Sequence, residues 1–576
     1  MQPSPWFRRM DIRWRAARAA LAGAVLLALA GCATVPPPAP VETIRILAIN
    51  DFHGNLEPPG GITAWSDAGQ RHEGQLGGAA RLAATIGALR QKEEHAITVA
   101  AGDLIGASPL ASAQFLDEPA IMALNRLGLE LAAVGNHEFD RGTAELRRMQ
   151  EGGCAVLTTR RPCQLDAPFE GASFAFLAAN VLDDEGATLF PGTAIRRLGA
   201  VQVGFIGLTL KETATLVSPA GTRGYRFADE AASANHAAER LLAEGADAIV
   251  LLIHQGGRVD PANNLDACPQ LDGGIVPIVA ALSPAIRVVV SGHTHMAYVC
   301  ELPLPGGGGT RLLTSAGRYG HFVTAIDLAV DPQTDAIVAA TARNHPVSEA
   351  AGEQADVAAL VARYVAAARP LAARVVGTIT GTLDWAGGAR ESGMARLIAD
   401  SQLAATRDAA DGGAQVAFIN TGGVRNRLEP AGDGSVTYAQ LFAVQPFGNT
   451  LVVLEMTGRQ LKAVLEEQFG PDSPARPRQS LLIPSRGFTY TIDPARPAGE
   501  RVVAMRLDGQ PVAEAATYRV TVNNFLASGG DGFATFAQAP VVADGGPDLD
   551  AMEAYIAAGV TAPADRRVLE AGGGAR

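Results

Sequence analysis

The stretch from Ala133 to Gly142 brings several reactive side chains together within a few residues. They are an amide, an imidazole and two carboxylates: Asn136, His137, Glu138 and Asp140. An apolar run over residues 129–134 predicts a buried strand, and Gly135 predicts a sharp turn directly after it. Taken alone, the segment fits either a reactive site or a polar loop whose Asn and Asp cap the next helix.

Four other apolar runs end in similar side chains, which favours the reactive site. They are residues 44–50 before Asp51-Phe52-His53-Gly54, 97–101 before Gly102-Asp103, 248–253 before His254-Gln255-Gly256-Gly257, and 286–290 before Ser291-Gly292-His293-Thr294-His295. In open α/β sheets, ligands gather outside the carboxyl ends of strands, so we expect these groups to surround one point. Glycines allow a close backbone approach there: Gly54, Gly102, Gly135, Gly256 and Gly292. A cluster of His, Asp and Asn without a thiolate suits one or two divalent ions.

The N-terminus is predicted to be a targeting segment. Five arginines precede a twelve-residue apolar run, 19–30, which is shorter than the ~20 residues that span a bilayer but suits a signal peptide. The run ends in Leu29-Ala30-Gly31-Cys32, which resembles a bacterial lipobox, so residues 1–31 would be removed and Cys32 acylated. An ordinary signal peptide with a chance cysteine is the alternative, and Met10 is a second possible start. The proline-rich residues 32–42 would form a stiff tether.

The charge of the chain limits its partners. Removal of residues 1–31 deletes five arginines and one aspartate, so the net charge moves from −12 to −16. The remaining 545 residues are enough for two domains with full cores. No basic stripe is present to hold a phosphate backbone, which argues against nucleic acid as a partner. An anionic substrate would need local positive charge, which metal ions supply.

Four cysteines remain after Cys32. An even number in an exported protein suggests two disulfides. We favour Cys154 with Cys163 and Cys268 with Cys300, because each pair closes a short, loop-rich segment. Three pairings are possible, and free buried thiols are a further alternative.

Strands alternate with helices over residues 43–345, which predicts an α/β domain with a large sheet system. The motifs Asp51-x-His53, Gly102-Asp103, Gly135-Asn136-His137-Glu138, His254 and Gly292-His293-x-His295 resemble those of the calcineurin-like metallophosphoesterases. Within that superfamily, residues 50–54 and 136–140 resemble the 5′-nucleotidase family, which includes bacterial UDP-sugar hydrolases. The resemblance implies an N-terminal β-sandwich flanked by helices, a linker helix and a C-terminal α/β nucleotide-binding domain.

The resemblance also implies two divalent metal ions, with zinc, manganese and cobalt as the favoured candidates. Asp103 would bridge them. Asp51, His53 and His295 would complete one site, and Asn136, His254 and His293 the other. His295 stands where some family members carry an amide. Two ions about 4 Å apart can supply hydroxide at neutral pH and hold the phosphoryl oxygens.

The resemblance gives His137 and Asp140 a catalytic role. His137 would stabilise charge on the phosphoryl and leaving groups, and Asp140 would hold its ring. In the alternative interpretation, Asp140 only caps a helix. The other histidines lie outside the motifs and are interpreted as surface or core residues: His72, His95, His236, His321 and His345.

Residues 346–375 are predicted to form a linker helix. Its apolar face comprises Val357, Leu360, Val361, Tyr364 and Val365, and Pro370 would close or kink it. In the family such a helix joins two rotating domains, and the alternative is a helix that belongs to one domain. Residues 376–570 are predicted to form a second α/β domain. In it, Thr457-x-x-Gln460 is a capping box for a helix that buries Leu461, Val464, Leu465 and Phe469.

Three glycine-rich loops of the second domain match the family's substrate-binding loops. Individually, each also reads as a turn beside a core aromatic residue. By the match, Phe447 and Phe525 would sandwich a base and Asp531 would bind ribose hydroxyls. The remaining candidates are Asn420 and Asn449 at the base edge, Gly422 and Gly423 in the loop, and Arg425 and Arg390 near phosphate. In two departures, Thr421 replaces a usual glycine, and Gly388 falls where the first of two arginines is often found.

These features predict a lipid-anchored, monomeric, two-metal phosphohydrolase that acts on nucleotides. It would lie at the bacterial outer membrane, on its periplasmic side or at the cell surface. Alternative substrates are 2′,3′-cyclic nucleotides, UDP-sugars and sulfur esters. A binding lipoprotein without catalysis would be expected to lack some ligands or His137, and all of these are present.

Overall fold

A computed structural model describes residues 42–158, 160–218, 221–305, 307–331, 336–384, 390–469 and 480–571. The predicted signal peptide, Cys32 and most of the tether lie outside these residues, as do Gly387 and Gly388. In the described part of the chain, no helix has both the length and the apolar character needed to cross a bilayer.

The N-terminal domain is a sandwich of two six-stranded sheets. In spatial order, the first sheet contains strands Ala336–Pro346, Phe322–Asp331, Glu42–Ile49, Ala96–Ala101, Leu131–Ala133 and Ala175–Leu177. The second contains Ala297–Pro303, Thr310–Ala316, Ile286–Ser291, Ala248–His254, Val201–Thr209 and Thr193–Leu198. Their facing sides form a shared core of aliphatic residues, among them Val99, Leu131, Val250 and Val288. Apolar residues on both faces are expected of sheets that are covered on each side.

Helices cover the outer face of each sheet. Ala79–Arg90, Glu118–Leu127 and Thr143–Glu151 pack on the first sheet, and Glu230–Ala243 and Ile275–Ala281 pack on the second. Two further short helices, Leu110–Ala113 and Thr213–Leu216, contact the C-terminal domain. Two small ribbons complete the domain, one of Thr63–Asp67 with Gln70–Gly74 and one of Val181–Leu182 with Arg226–Phe227. The architecture is therefore a β-sandwich flanked by helices, as the motifs imply.

The register of the strands brings their carboxyl ends together. In the first sheet, Ile49 is level with Ala100, and Ala101 is level with Ala133, all in parallel pairs. In the second sheet, Ile253 is level with Ser291. The five motif-bearing strands are thus divided three and two between the sheets, whereas sequence periodicity alone does not separate them. The site lies where the two sheets end side by side.

The linker helix spans Ala355–Ala372 and buries Val357, Leu360, Tyr364 and Ala368. Pro370 lies inside its last turn and does not close it, since the helix continues to Ala372. The helix packs on Glu118–Leu127 of the first domain and on Tyr438–Val444 of the second. It therefore contacts both domains.

The C-terminal domain is also α/β. It contains a five-stranded sheet of Leu482–Pro484, Val416–Asn420, Thr517–Asn523, Thr450–Thr457 and Val541–Pro547. A three-stranded sheet comprises Ser435–Thr437, Val375–Thr380 and Val560–Thr561. A four-stranded sheet comprises Gln510–Pro511, Val502–Leu507, Phe488–Ile492 and Val568–Glu570. Its helices are Gly393–Thr406, Tyr438–Val444, Gly458–Glu466, Asn524–Ala527 and Asp548–Ala557. The predicted capping box forms: the Thr457 side chain accepts from the Gln460 N–H, and the Gln460 side chain accepts from the Thr457 N–H. Leu461, Val464 and Leu465 are buried as predicted.

Both favoured disulfides are present. Cys154 is bonded to Cys163 and Cys268 to Cys300. The first closes a loop beside the helix Thr143–Glu151, and the second joins a loop to the edge strand Ala297–Pro303. The structure thereby selects one of the three possible pairings.

Candidate metal centre and substrate cleft

Six of the seven predicted ligands fall into two groups of three at the strand ends. One group is Asp51, His53 and His295, and the other is Asp103, His254 and His293. Within each group the candidate ligand atoms all lie within 4.8 Å of one another. The amide oxygen of Asn136 is 3.2 Å from Nε2 of His254, which places the seventh candidate beside the second group.

Asp103, a member of the second group, also lies close to the first group. Its Oδ2 is 3.0 Å from Nε2 of His254 and 3.6 Å from Nε2 of His53. A carboxylate oxygen has lone pairs for two cations, whereas the Nε2 of a neutral imidazole has only one. The position of Asp103 is therefore that of a bridging ligand.

Hydrogen bonds from the protein orient the ligands. Nδ1 of His53 is 2.9 Å from the carbonyl of Gly106, and Nδ1 of His254 is 2.8 Å from the carbonyl of Ala101. Each carbonyl accepts the Nδ1 proton, so Nε2 is left to face the centre of the site. Asp51 accepts from the Asn50 amide at 2.7 Å and from the His293 N–H at 2.9 Å.

Five of the candidate ligands have a left-handed backbone, which is uncommon for residues other than glycine. Their φ angles are 50° for Asp51, 46° for His53, 52° for Asp103, 70° for His293 and 61° for His295. Such conformations cost on the order of 1–3 kcal/mol each and cluster at functional sites. The chain turns sharply after each strand and so aims these side chains inward.

Two glycines show how tightly the strand ends pack. A Cβ at Gly135 would collide with the carboxylate of Asp103. One at Gly102 would lie 2.7 Å from Nδ1 of His254, and Gly102 also has a φ of +82°. The expected close approach of the backbone is therefore confirmed at these positions.

Glu138 lies in the central motif, but sequence reasoning assigned it no separate role. Its buried carboxylate accepts backbone hydrogen bonds from Gly135, Asp103 and Leu104 at 2.6, 2.9 and 2.7 Å. Burial, followed by the charge of Asp103, raises its pKa to about 7. It ties the ends of two strands together and thereby fixes the position of Asp103.

The donor set fits two divalent cations. Burial raises the pKa of Asp51, while it lowers the pKa of His293 to about 3, so His293 is a neutral nitrogen donor. Burial also opposes charge on Asp103, but the charges of His254 and His137 lower its pKa well below the usual value. Buried carboxylates and imidazole nitrogens, with no thiolate among the described candidates, suit divalent ions bound through oxygen and nitrogen.

His137 and Asp140 form a pair beside the centre. Nδ1 of His137 donates to Oδ2 of Asp140 at 2.9 Å, and the His137 N–H donates to Asp103 at 2.9 Å. The ring of His137 stacks on Phe447 of the C-terminal domain, with centroids 5.9 Å apart and planes at 15°. The pair therefore lies where the two domains meet.

One cleft of about 1030 Å³ joins the metal centre to the C-terminal loops. Almost all predicted substrate residues line it: Asn420, Gly422, Gly423, Arg425, Phe447, Asn449, Phe525 and Asp531. Nδ2 of Asn420 donates to Asp531 at 2.7 Å, and the Arg425 guanidinium lies 5.7 Å from the centroid of the Phe447 ring. The three loops, distant in sequence, thus form one surface.

Arg390 is the exception among these candidates. It is exposed and is not among the residues that line the cleft. Its neighbour Glu391 accepts backbone hydrogen bonds from Arg567 and Val568, which ties this segment to the strand Val568–Glu570. The expected contribution of Arg390 to phosphate binding is not supported by this placement.

Sequence reasoning also missed Arg318 and Tyr319. Both line the cleft, and the Tyr319 N–H donates to the Asp51 carbonyl at 2.7 Å. They follow Gly317 at the end of strand Thr310–Ala316. This is the same strand-end pattern that identified the ligands, so the signal was present in the sequence.

Comparison with known proteins agrees with this architecture. Residues 44–297 match the family described as calcineurin-like phosphoesterase, and residues 375–538 match the 5′-nucleotidase C-terminal domain. The chain is 30% identical to endonuclease YhcR of Bacillus subtilis over 84% of its own length and 37% of that protein, so it spans little more than a third of this relative. It is 26% identical to a probable 5′-nucleotidase of Treponema pallidum, over 89% of this chain and 90% of the other.

A solved structure has the same two-domain fold. It is the 5′-nucleotidase precursor from Thermus thermophilus, with a TM-score of 0.74, 26% identity, and coverage of 92% of this chain and 100% of that one. Both family matches fall on the two domains that build the cleft, in the same order along the chain. This chain therefore belongs to the 5′-nucleotidase family of calcineurin-like phosphoesterases.

Proposed function

We propose that the protein removes phosphate from nucleotides, as a 5′-nucleotidase-type phosphohydrolase. The observation that carries the proposal is that one cleft is lined by members of both ligand groups, His295 of one and Asp103 and His293 of the other, and by Phe447 and Phe525. A nucleotide presents a phosphate to metal ions and a flat base to aromatic rings. The names of the Treponema and Thermus relatives support the same activity.

Two bound divalent ions would supply hydroxide at neutral pH and neutralise charge on the phosphoryl oxygens. The chain's own residues position the substrate. Phe447 and Phe525 hold the base, Asp531 binds ribose hydroxyls and Arg425 approaches the phosphate.

His137 acts on the leaving group. Burial alone would lower its pKa, but the negative charges of Asp140 and Asp103 outweigh burial and raise it. Since Asp140 accepts the Nδ1 proton, the second proton of the imidazolium is held at Nε2. That proton stabilises the developing charge and passes to the leaving oxygen.

We further propose that the enzyme works outside the cytoplasm, as a monomer anchored through lipid on Cys32 at the outer membrane. The basic and apolar segments before Cys32 support export, and two disulfides suit an oxidising compartment. Mass spectrometry of the mature N-terminus tests the anchor. An unacylated N-terminus, or one at another residue, would rule it out.

A phosphate-release screen of metal-reconstituted protein tests the activity. It includes AMP, ATP, UDP-glucose and 2′,3′-cyclic AMP, so that the alternative substrates are tested alongside the nucleotide. We expect AMP turnover that falls by about 10²–10⁴-fold in His137→Ala while the metal content is retained. His236→Ala, which removes a histidine on helix Glu230–Ala243 outside the cleft, is the matched control. Turnover of none of these substrates, or full turnover in His137→Ala, would refute the proposal.

A further inference from the structure

Two neighbouring side chains next to Phe447 each bury an oxygen that has no hydrogen-bond partner. Asp548 begins the helix Asp548–Ala557, and Gln445 directly follows the helix Tyr438–Val444; they are 1% and 2% exposed. Among the described residues, Oδ1 of Asp548 and Oε1 of Gln445 receive no hydrogen bond. A buried acceptor without a donor is costly, so these two oxygens call for a donor between them.

The other polar atoms of the two side chains already face each other. Nε2 of Gln445 lies 3.5 Å from Oδ2 of Asp548, at the long limit of a hydrogen bond. A neutral carboxyl group and an amide can form a closed ring of two hydrogen bonds, in which the amide N–H donates to one group and the carboxyl O–H donates back. A single proton on Oδ1 of Asp548 would therefore donate to Oε1 of Gln445 and leave neither oxygen unpaired.

The surroundings of Asp548 favour this proton. Burial raises the pKa of its carboxyl to about 7. The Leu549 N–H and the Asn449 side chain favour the charged form, but they offset the effect of burial only in part. The charge of Asp550, on the same helix, raises the pKa further. Asp548 is therefore expected to change its charge near neutral pH.

The other charged groups around this helix do not neutralise Asp548. The elements packed against the helix are Gly393–Thr406, Val375–Thr380, Tyr438–Val444, Val541–Pro547 and Val560–Thr561. Neither they nor the helix contain histidine or lysine. Their charged side chains, with that of the preceding Arg374, are in other ion pairs or exposed: Arg374 with Glu553, Arg396 with Glu391, Asp400 with Arg567, and the exposed Asp544 and Asp550. Burial raises the pKa of the two tyrosines, Tyr438 and Tyr555, which stay neutral.

Both ends of one substrate loop meet at Asp548. The loop comprises residues 445–449, and Phe447 and Asn449 in it line the cleft. At one end, Gln445 faces the Asp548 side chain; at the other, the Asp548 N–H donates to the Asn449 carbonyl at 2.9 Å. A loop that is fixed at both ends holds the ring between them in one place.

The same loop is joined to the second aromatic residue of the cleft. The Thr450 N–H donates to Oδ1 of Asn524 at 3.1 Å, and Asn524 begins the short helix that carries Phe525. Fixing residues 445–449 therefore also fixes the separation of the Phe447 and Phe525 rings. Two rings that are in place before a base enters lose less entropy when it binds.

We propose that Asp548 is a positioning residue for base binding, whose neutral form holds residues 445–449 in place through an acid–amide pair with Gln445. This rests on the proposed function, since the base is that of the nucleotide. Ionisation removes the donor to Gln445 and leaves a charge in a buried site, so the pair opens. An ordinary Asp has a pKa of about 4, so the pair is fully favoured below about pH 4 and is lost as the pH rises through about 7. Affinity for the base falls with it.

Calorimetric titration of adenosine into the metal-loaded full chain, from about pH 5.5 to about 8.5, tests the pair. Adenosine presents the base without a phosphate and does not itself titrate in this range. In the unmodified chain Kd should rise about tenfold across the range, as expected when one stacking ring is misplaced. Asp548→Asn forms an amide–amide pair that cannot ionise, so Kd should stay low throughout. Gln445→Met removes the pair, so Kd should be high throughout.

The matched control is Asp550→Asn, which removes an exposed charge from the same turn of the helix. Its pH dependence should remain, with the midpoint slightly lower because one negative charge is lost. The ratio of Kd to that of Asp548→Asn at the same pH cancels the titration of other groups. A ratio that does not change with pH, or no adenosine binding at any pH, overturns the inference. AMP turnover on the same samples then decides the proposed function separately: turnover leaves it standing, and its absence at every pH removes it too.

Discussion

The two walls of the cleft are built in different ways. On the N-terminal side, the ligands follow directly after the strands of two sheets, and Asp51, His53, Asp103 and His254 are almost completely buried. On the C-terminal side, Phe447 and Asn449 lie on a loop, Phe525 lies in the short helix Asn524–Ala527, and all three are half-buried. The first wall must hold two ions to within tenths of an ångström, whereas the second has to accommodate a base. Backbone strain follows the same division, since five ligands but only Asp531 among the substrate candidates have a left-handed φ.

The largest effect is expected from a substitution of Asp103, the candidate bridging ligand on the N-terminal side of the cleft. Asp103→Asn keeps the size of the side chain but removes the charge that two cations share. We expect loss of bound metal and a fall in turnover of at least about 10³-fold, because the metal chemistry and its charge stabilisation are lost together. Elemental analysis and AMP turnover measure the two effects. Two bound ions in the variant would contradict the assignment of Asp103 as the bridge.

Glycine substitutions compare the two walls directly. A methyl group at Gly135 would displace the Asp103 carboxylate, so Gly135→Ala should weaken metal binding by about 10–100-fold, as for other changes that misplace a ligand. Gly448 beside Phe447 has open space around it and a φ of +68°, so Gly448→Ala should cost only about 1 kcal/mol of stability and retain the metal. Metal titration and thermal unfolding check both variants. Equal loss of metal in the two would show that the walls do not differ.

Loss of an aromatic side chain on the C-terminal side of the cleft should raise KM. Phe525→Ala removes one stacking surface, worth about 1–3 kcal/mol per base, so KM for AMP should rise roughly tenfold with little change in kcat. The metal content should stay at two ions, measured on the same sample. A fall in kcat with unchanged KM would place Phe525 in the chemical step and not in base binding.

The metal centre could be predicted well from the sequence because each ligand lies within a few residues of its own strand. A hydrophobic run, a glycine and a polar residue are local features, so Asp51, Asp103 and His254 could be assigned without tertiary contacts. The division of the strands between two sheets could not be predicted, since both sheets use similar apolar runs. The same applies to Glu138, whose role depends on N–H groups more than thirty residues away.

The substrate wall was harder to predict because its residues act across domains. The stacking of His137 on Phe447 joins residues that are far apart in the chain. Arg390 was expected at the cleft from its position in a family pattern, yet the contacts of its neighbour Glu391 hold that segment elsewhere. Trp65, on the ribbon of Thr63–Asp67 and Gln70–Gly74, belongs to none of the sequence motifs. Its position follows from the contacts of its strand with Asn263 and Arg343.

The hydrogen bonds of Glu138 have a consequence for how the enzyme matures. Its carboxylate fastens two strand ends through backbone N–H groups and offers nothing to the ions, so the framework around the cations belongs to the polypeptide itself. We therefore expect the strand ends to keep their places without the cations, so that metal ions bind to a site that folding has already formed.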